Sequence, residues 1–345
     1  MEDAHSVVIP FAGIHGQGFF AIFDGHAGKH AAEWCGQNFS LCLLDALRKS
    51  PSDNIPDVLN QAFHDVDLNL TEMSEQSEGK MHSGCTAVTA FLRLEDASGR
   101  QTFLPPNYDP FGSTQDLIEA DGDTDASGGD DADKSQSGTD PKPSKASKLK
   151  NALRSIGTSS HSRRPSQGQT FDSSQVSPRD QKGQHIFTPT PDLSVRRVLY
   201  CANAGDARGV LCRAGKAVRL TYDHKGTDKQ EAKRIMDAGG FVMSGRVNGV
   251  LAVTRSLGDS SMKEFVVGAP YTTETDLTDE DEFMILACDG LWDVVDDQGA
   301  VDLVRTIADP KQASDTLLEH AYKNYSTDNV TTMVVRFRNP VVVSN

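Results

Sequence analysis

The segment Phe19-Phe20-Ala21-Ile22-Phe23 runs without a polar break into Asp24-Gly25-His26-Ala27-Gly28. Bulky and partly β-branched residues in such a run form a buried strand. Its ending offers a carboxylate, a glycine turn and an imidazole where a ligand can reach them. Phe283-Met284-Ile285-Leu286-Ala287-Cys288 followed by Asp289-Gly290 repeats the design far along the chain. Asp and Gly are also the commonest turn formers, so neither stretch alone separates a site from a turn. The distinction depends on how many such endings meet at one place.

The 345 residues, 37% of them hydrophobic, allow one large domain or two ordinary ones with ample core. A formal charge of -15 argues against nucleic acid as the main partner, because binding phosphates in quantity requires a basic surface. It suits a protein that gathers divalent cations. No apolar run approaches the roughly 18 residues of a membrane span, and Met1-Glu2-Asp3-Ala4-His5 lacks the basic start and apolar core of a signal peptide. Cys35, Cys42, Cys85, Cys201, Cys212 and Cys288 include no Cys-x-x-Cys pair and lie mostly in apolar or small-residue segments. They read as reduced core residues and argue against zinc. The expectation is a monomer of the cytoplasm or nucleus, with no membrane partner.

Two strands, about Ser6–Phe11 and Phe19–Phe23, open the chain, and a helix follows from near Gly28. Val58, Leu59, Ala62, Phe63, Val66 and Leu70 recur at helical spacing and predict a second helix over about 55–70 with one core-facing stripe. His82–Leu92 reads as a strand that opens on small polar residues. From about Asp96 to Ser194 the composition changes to Ser, Gly and Pro, with a run of acids and then a run of bases. Such a segment cannot bury enough apolar surface to offset its ordering entropy, which predicts a disordered insert. Within it, Asp121-Gly122-Asp123-Thr124-Asp125 imitates a calcium loop, but Ala126 and Ala132 occupy the positions that need Gly and Glu.

Folded sequence resumes with a strand at 195–203. The turn Ala204-Gly205-Asp206-Ala207 predicts a return strand at 208–212 as its hairpin partner, and Ala214-Gly215-Lys216 predicts a second hairpin. Asp228 as N-cap, Glu231 three residues later and Gly239-Gly240 punctuate a helix. Short strands at 241–243 and 250–254, helices near 298–307 and 311–324, and a last strand over 329–337 complete the reading, with 339–345 as a short tail. Strand runs with segregated helical blocks indicate an α+β fold with mainly antiparallel sheets.

Asp24, Asp206, Asp289 and Asp328 each stand at a strand or hairpin end, with Glu2, Asp3 and Asp293 as further acids along the chain. Carboxylates gathered without basic neighbours repel one another unless they hold cations. All-oxygen ligands select hard ions such as Mg²⁺ or Mn²⁺. Two such ions roughly 3.5–4 Å apart lower the pKa of a shared water until it is a hydroxide nucleophile, and they neutralise phosphate oxygens during in-line attack. That is the chemistry of a phosphate-ester hydrolase.

Met1-Glu2-Asp3-Ala4-His5, Phe23-Asp24-Gly25-His26-Ala27-Gly28, Ser83-Gly84-Cys85-Thr86-Ala87 and Ala204-Gly205-Asp206-Ala207-Arg208 occur in that order. Arg246-Val247-Asn248-Gly249 with Ser256-Leu257-Gly258-Asp259, Ala287-Cys288-Asp289-Gly290-Leu291-Trp292-Asp293 and Thr327-Asp328-Asn329-Val330 follow. Together they resemble the metal-dependent type 2C (PPM family) protein serine/threonine phosphatases, with an overall pattern most like fungal members. The resemblance covers about 1–95 and 195–338. It implies one domain over 1–338, interrupted by the insert, built as a four-layer α-β-β-α sandwich of two mainly antiparallel sheets flanked by helices.

By the same resemblance Asp24 bridges two Mg²⁺ or Mn²⁺ ions, the Gly25 carbonyl binds one of them, and Asp289 and Asp328 bind the other. Glu2 holds metal-bound waters, and Asp206 with Asp293 forms a third, weaker site. His26 is the general acid that protonates the departing Ser or Thr oxygen, Thr86 lies near the metal centre, and Asn248-Gly249 sits beside a flap. The implied partners are phosphorylated proteins, in intracellular signalling. Asp259 reads equally as a turn cap. The family carries a phosphate-gripping Arg four residues before the position of Glu2, which falls before Met1 here. The expectation is weaker phosphoprotein binding; the rival reading is a pseudophosphatase that only binds.

Overall fold

The computed structural model describes residues 1–50, 54–77, 82–106, 108, 186–190 and 193–337. Most of the expected insert and the 339–345 tail lie outside them. One sheet has the strand order β1 (Ala4–Val8), β2 (Gly18–His26), β3 (Gly84–Glu95), β4 (Arg196–Ala204), β10 (Tyr271–Asp276), with β9 (Leu257–Gly258) also on β3. The second has the order β12 (Thr332–Arg336), β11 (Asp281–Ala287), β5 (Arg208–Arg213), β6 (Lys216–Arg219). Every pairing within these two sheets is antiparallel. A small hairpin, β7 (Val242–Met243) with β8 (Arg246–Val247), stands apart.

The layering follows from the period of two along each strand. Phe19, Ala21 and Phe23 of β2 pack with the apolar faces of α1 (His30–Lys49) and α2 (Ile55–Gln76), while Phe20 and Ile22 face the other sheet. On β11, Met284 and Leu286 meet them across the sandwich. Phe283, Ile285 and Ala287 pack with α5 (Asp297–Val304) and α6 (Pro310–Lys323). An unbroken apolar run is therefore two faces of one strand, each covered by a different layer. The result is the four-layer α-β-β-α sandwich.

The α2 stripe from Val58 to Leu70 is buried as its spacing predicts, and Asn54 caps the helix by accepting from the Asp57 N–H (2.9 Å). The helix α3 (Lys229–Asp237) starts on Asp228, whose carboxylate accepts from the N–H groups of Gln230 and Glu231. Among the described residues no helix is long and apolar enough to cross a membrane.

Phe39 sits at the centre of the α1/α2 layer, stacked on Phe19 (5.7 Å between centroids), tilted against Phe23 (5.6 Å) and edge-on to Phe63 (5.0 Å). Phe39→Ala is expected to cost about 3–5 kcal/mol. It should appear as a lower urea midpoint at unchanged slope.

Several expectations are corrected. The strands β4 and β5 are not a hairpin: β4 pairs with β3 and β10, and β5 with β11 and β6. The segment Ala204-Gly205-Asp206-Ala207, with Gly205 at φ +107°, instead hands the chain from one sheet to the other. No strand forms over 250–254, where Leu251 and Val253 make only isolated bridges.

The strand β10 had no apolar signature because it is a half-exposed edge of sequence YTTETD. The described ends of the low-complexity stretch are ordered. Asp96 closes a turn by accepting from the N–H groups of Ser98 (2.7 Å) and Arg100 (3.1 Å), and Phe187 exchanges backbone bonds of 2.8 Å with Gly13 and His15. Local side-chain turns of this kind need no apolar pattern.

Candidate active site

The polar endings gather at one end of the sandwich. Asp24 is near the end of β2, opposite Thr86 of β3, and Asp206 is in the crossover between β4 and β5. Asp289 opens the short helix α4 (Asp289–Trp292) directly after β11, and Asp328 precedes β12. The recurrent Asp-Gly has a packing reason. A Cβ on Gly25 would meet the Glu2 carbonyl oxygen at 2.3 Å, and one on Gly290 would meet that of Asn329 at 2.2 Å. Each glycine lets a distant segment press against a strand ending, which brings the N-terminal residues and the 328–331 loop to the acids. There the Glu2 N–H donates to Asn329 Oδ1 (2.7 Å), and Thr331 Oγ1 donates to Asp3 Oδ2 (2.6 Å).

The electrostatics show how close the acids are. Burial, then the charges of Asp289, Asp3, Asp206 and Asp328, push the Asp24 carboxyl up to about 9. Burial, then Asp206, Asp293 and Asp328, raise Asp289 to about 7 against the opposing charge of Lys225. Burial also raises Asp206 and Asp3. A folded protein that keeps carboxylates under this mutual repulsion is poised for positive charge.

Among the described residues no group of three or more His, Cys, Asp or Glu side chains is arranged to hold a metal ion as the side chains stand. Nevertheless, Asp3 Oδ1, Asp206 Oδ1, Asp289 Oδ1 and Thr86 Oγ1 are buried without a hydrogen-bond partner. Unpaired buried oxygens are costly. An all-oxygen set of this charge fits Mg²⁺ or Mn²⁺.

The remaining expected residues divide. Glu2 Oε2 accepts from the Gly28 N–H (3.3 Å), which places its carboxylate beside the turn that follows β2. Asp206 and Asp293, expected at a third site, share Lys225, whose Nζ is 3.4 Å from Asp206 Oδ2 and 3.5 Å from Asp293 Oδ1. That ammonium ends the run Asp223-His224-Lys225, which also resembles the family pattern, and only the fold brings it to the acids. His224 backs the same crossover, with Nδ1 within 3.2 Å of the Gly205 nitrogen and 3.0 Å of its carbonyl oxygen. Burial, then Arg255, lower its pKa to about 4. Asp259 does more than close a turn, because its Oδ2 accepts from His26 Nε2 at 2.7 Å.

A family model described as Protein phosphatase 2C matches residues 1–97 and 130–330. The chain is 35% identical over 342 residues to Protein phosphatase 2C homolog 1 of Schizosaccharomyces pombe, across 99% of this chain and 70% of that protein. It is 36% identical over 335 residues to Protein phosphatase 2C homolog 1 of Saccharomyces cerevisiae, across 97% of this chain and 87% of that protein. Among solved structures, a serine-threonine phosphatase 2C from Toxoplasma gondii superposes with a TM-score of 0.60 at 18% identity, covering 98% of this chain and 90% of the other. That last likeness shows the fold alone. Sequence similarity along nearly the whole chain and a shared sandwich lead to one assignment: this chain belongs to the protein phosphatase 2C family.

Proposed function

We propose that this phosphatase removes phosphate from phosphoserine and phosphothreonine in proteins, as the reversing arm of intracellular signalling, and that it requires Mg²⁺ or Mn²⁺. The observation that carries the reading is the convergence of Asp24, Asp206, Asp289 and Asp328 on one rim, with buried oxygens that no protein group satisfies. Asp24, the Gly25 carbonyl, Asp289 and Asp328 would hold the two ions, Glu2 would order water beside them, and Asp206 with Asp293 would hold a third. When bound, such ions activate water and neutralise phosphate charge.

The chain's own part is to fix the acids on strand ends and to supply a proton. His26 ends β2, two residues after Asp24, and is partly exposed, so it can meet the seryl or threonyl oxygen as the P–O bond breaks. The formal charge of -15 argues against a competing nucleic-acid reading.

Hydrolysis of a phosphothreonine peptide by the full chain should depend on Mn²⁺ or Mg²⁺ and fall by at least about a thousandfold in Asp289→Ala, since metal-ion catalysis is worth several kcal/mol. Turnover that persists in chelator, or in that variant, would refute the proposal.

A further inference from the structure

We propose that Asp259 is a positioning residue for His26: its carboxylate fixes the imidazole so that Nδ1 is the nitrogen that delivers the proton. This rests on the reading of His26 as the proton donor.

A carboxylate paired 2.7 Å from Nε2 accepts a hydrogen bond, so Nε2 carries its hydrogen and Nδ1 is the edge left to face the substrate. In the step, the Nδ1–H bond of the imidazolium breaks as a new O–H bond forms on the departing seryl or threonyl oxygen. Water supplies the fourth oxygen of the released phosphate. The imidazole is left neutral, with Nε2–H still on Asp259.

The surroundings of Asp259 are built for this bond. The residue is not glycine, yet it sits at φ +48°, a strained conformation that Asp tolerates better than most residues and that concentrates at functional sites. Its side chain is 8% exposed and lies where a Cβ on Gly84 would meet Oδ2 at 2.1 Å, so only glycine on β3 leaves room for it. The Ser256 hydroxyl also donates to Oδ2.

The turn is clamped from outside as well. Leu257 and Gly258 pair with Cys85 and Gly84, the Gly258 N–H donates to Asp67 Oδ1 of α2 (2.9 Å), and Lys263 Nζ donates to the Ser256 carbonyl (3.0 Å). His26 itself pairs with Gly84 across β2 and β3. Both partners of the bond are therefore mounted on the same strand, which is what a preorganised proton donor requires.

The test compares two leaving groups. A phosphothreonine peptide expels a strongly basic alkoxide and needs the acid, whereas p-nitrophenyl phosphate expels a weakly basic phenolate and does not. Asp259→Asn is the chosen variant because Asn also tolerates positive φ and keeps the shape that Gly84 accommodates. With saturating Mn²⁺, His26→Ala should lower kcat on the peptide by about a hundredfold, within the range for general acids, and on p-nitrophenyl phosphate by no more than about threefold.

Asp259→Asn should show the same split at about tenfold or more on the peptide, with KM and calorimetric Mn²⁺ binding unchanged. The double variant should be no worse than His26→Ala. Ser256→Ala, which leaves Asp259 in place, should give the split in a milder form of about fivefold, as for one lost hydrogen bond. Equal losses of Asp259→Asn on both substrates, or wild-type kcat on the peptide, would overturn the positioning role while leaving the acid role of His26 intact. Absence of the split in His26→Ala would overturn both.

Discussion

Asp24→Asn should make the metal-free protein more stable while removing at least about a thousandfold of its phosphopeptide activity, the scale set by several kcal/mol of metal-ion catalysis. Burial and four neighbouring acids hold the Asp24 carboxyl near 9 in the fold, against an ordinary value of 3.8. The folded state thus binds a proton that the unfolded chain has released. For a raised folded pKa the group's contribution is complete below about 4 and is lost as pH rises toward 9. At pH 7.5 most of that loss has occurred, and the uncharged isostere escapes it.

A gain of about 1–3 kcal/mol, the range for relieving an uncompensated buried polar group, raises the melting temperature by roughly 2–4 °C per kcal/mol. The wild type should recover a comparable amount on adding Mn²⁺, because a ligand at a hundred times its Kd stabilises by about 2.7 kcal/mol. Thermal melts of both proteins with and without Mn²⁺ read the two effects together. A metal-free Asp24→Asn that melts lower, with an undiminished Mn²⁺ shift, would remove Asp24 from the site.

The second large effect is structural. Glu231 of α3 is buried, and its carboxylate accepts from Arg255 Nη2 (2.6 Å) and Nε (3.1 Å), Arg234 Nη2 (3.1 Å) and Thr254 Oγ1 (2.9 Å). Arg234 and Arg255 pass the connection on to the carbonyls of Phe265 and Ala269. Glu231→Ala leaves two guanidinium groups without their common partner and should cost about 3–5 kcal/mol.

The same network sets an acid limit. Burial alone would raise the Glu231 pKa, but the bonds and charge of Arg255, then Thr254 and Arg234, outweigh it and bring the value to about 2 from 4.5. A depressed folded pKa gives stability that is present above about pH 4.5 and lost as pH falls toward 2, here about 3 kcal/mol. His224, whose folded pKa is lowered to about 4 from 6.5, gives a separate loss as pH falls between those values. Urea midpoints measured from pH 7 to pH 2.5 should therefore flatten below pH 4.5 in Glu231→Gln while keeping the His224 part. Parallel curves for wild type and Glu231→Gln would show that the carboxylate is not held in this way.

Much of the fold was legible where burial leaves a pattern. Both covered faces of β2 and β11, the α2 stripe and the Asp228 cap were readable, because apolar spacing and capping chemistry are local. The strand β10 was not, since an exposed edge strand carries no apolar alternation. The turn at Gly205 looked like a hairpin, because nothing in Ala204–Ala207 says which sheet receives the next strand. Asp259 read equally as a turn cap.

The sequence determined which residues are available: carboxylates at strand or hairpin ends, two of them (Asp24 and Asp289) after buried apolar strands and followed by a glycine, and a histidine beside the first. Those are consequences of local chemistry, and they suffice to name the hard cation such a set would hold. Only the tertiary structure decided that Asp24, Asp206, Asp289 and Asp328 share one rim and that Asp259 faces His26. Both depend on contacts between segments far apart in the chain. Gly25 and Gly290 admit foreign backbone against the strand ends, and Gly84 admits the Asp259 carboxylate. Whether a glycine frees a turn or makes room for another segment is a property of the packed molecule.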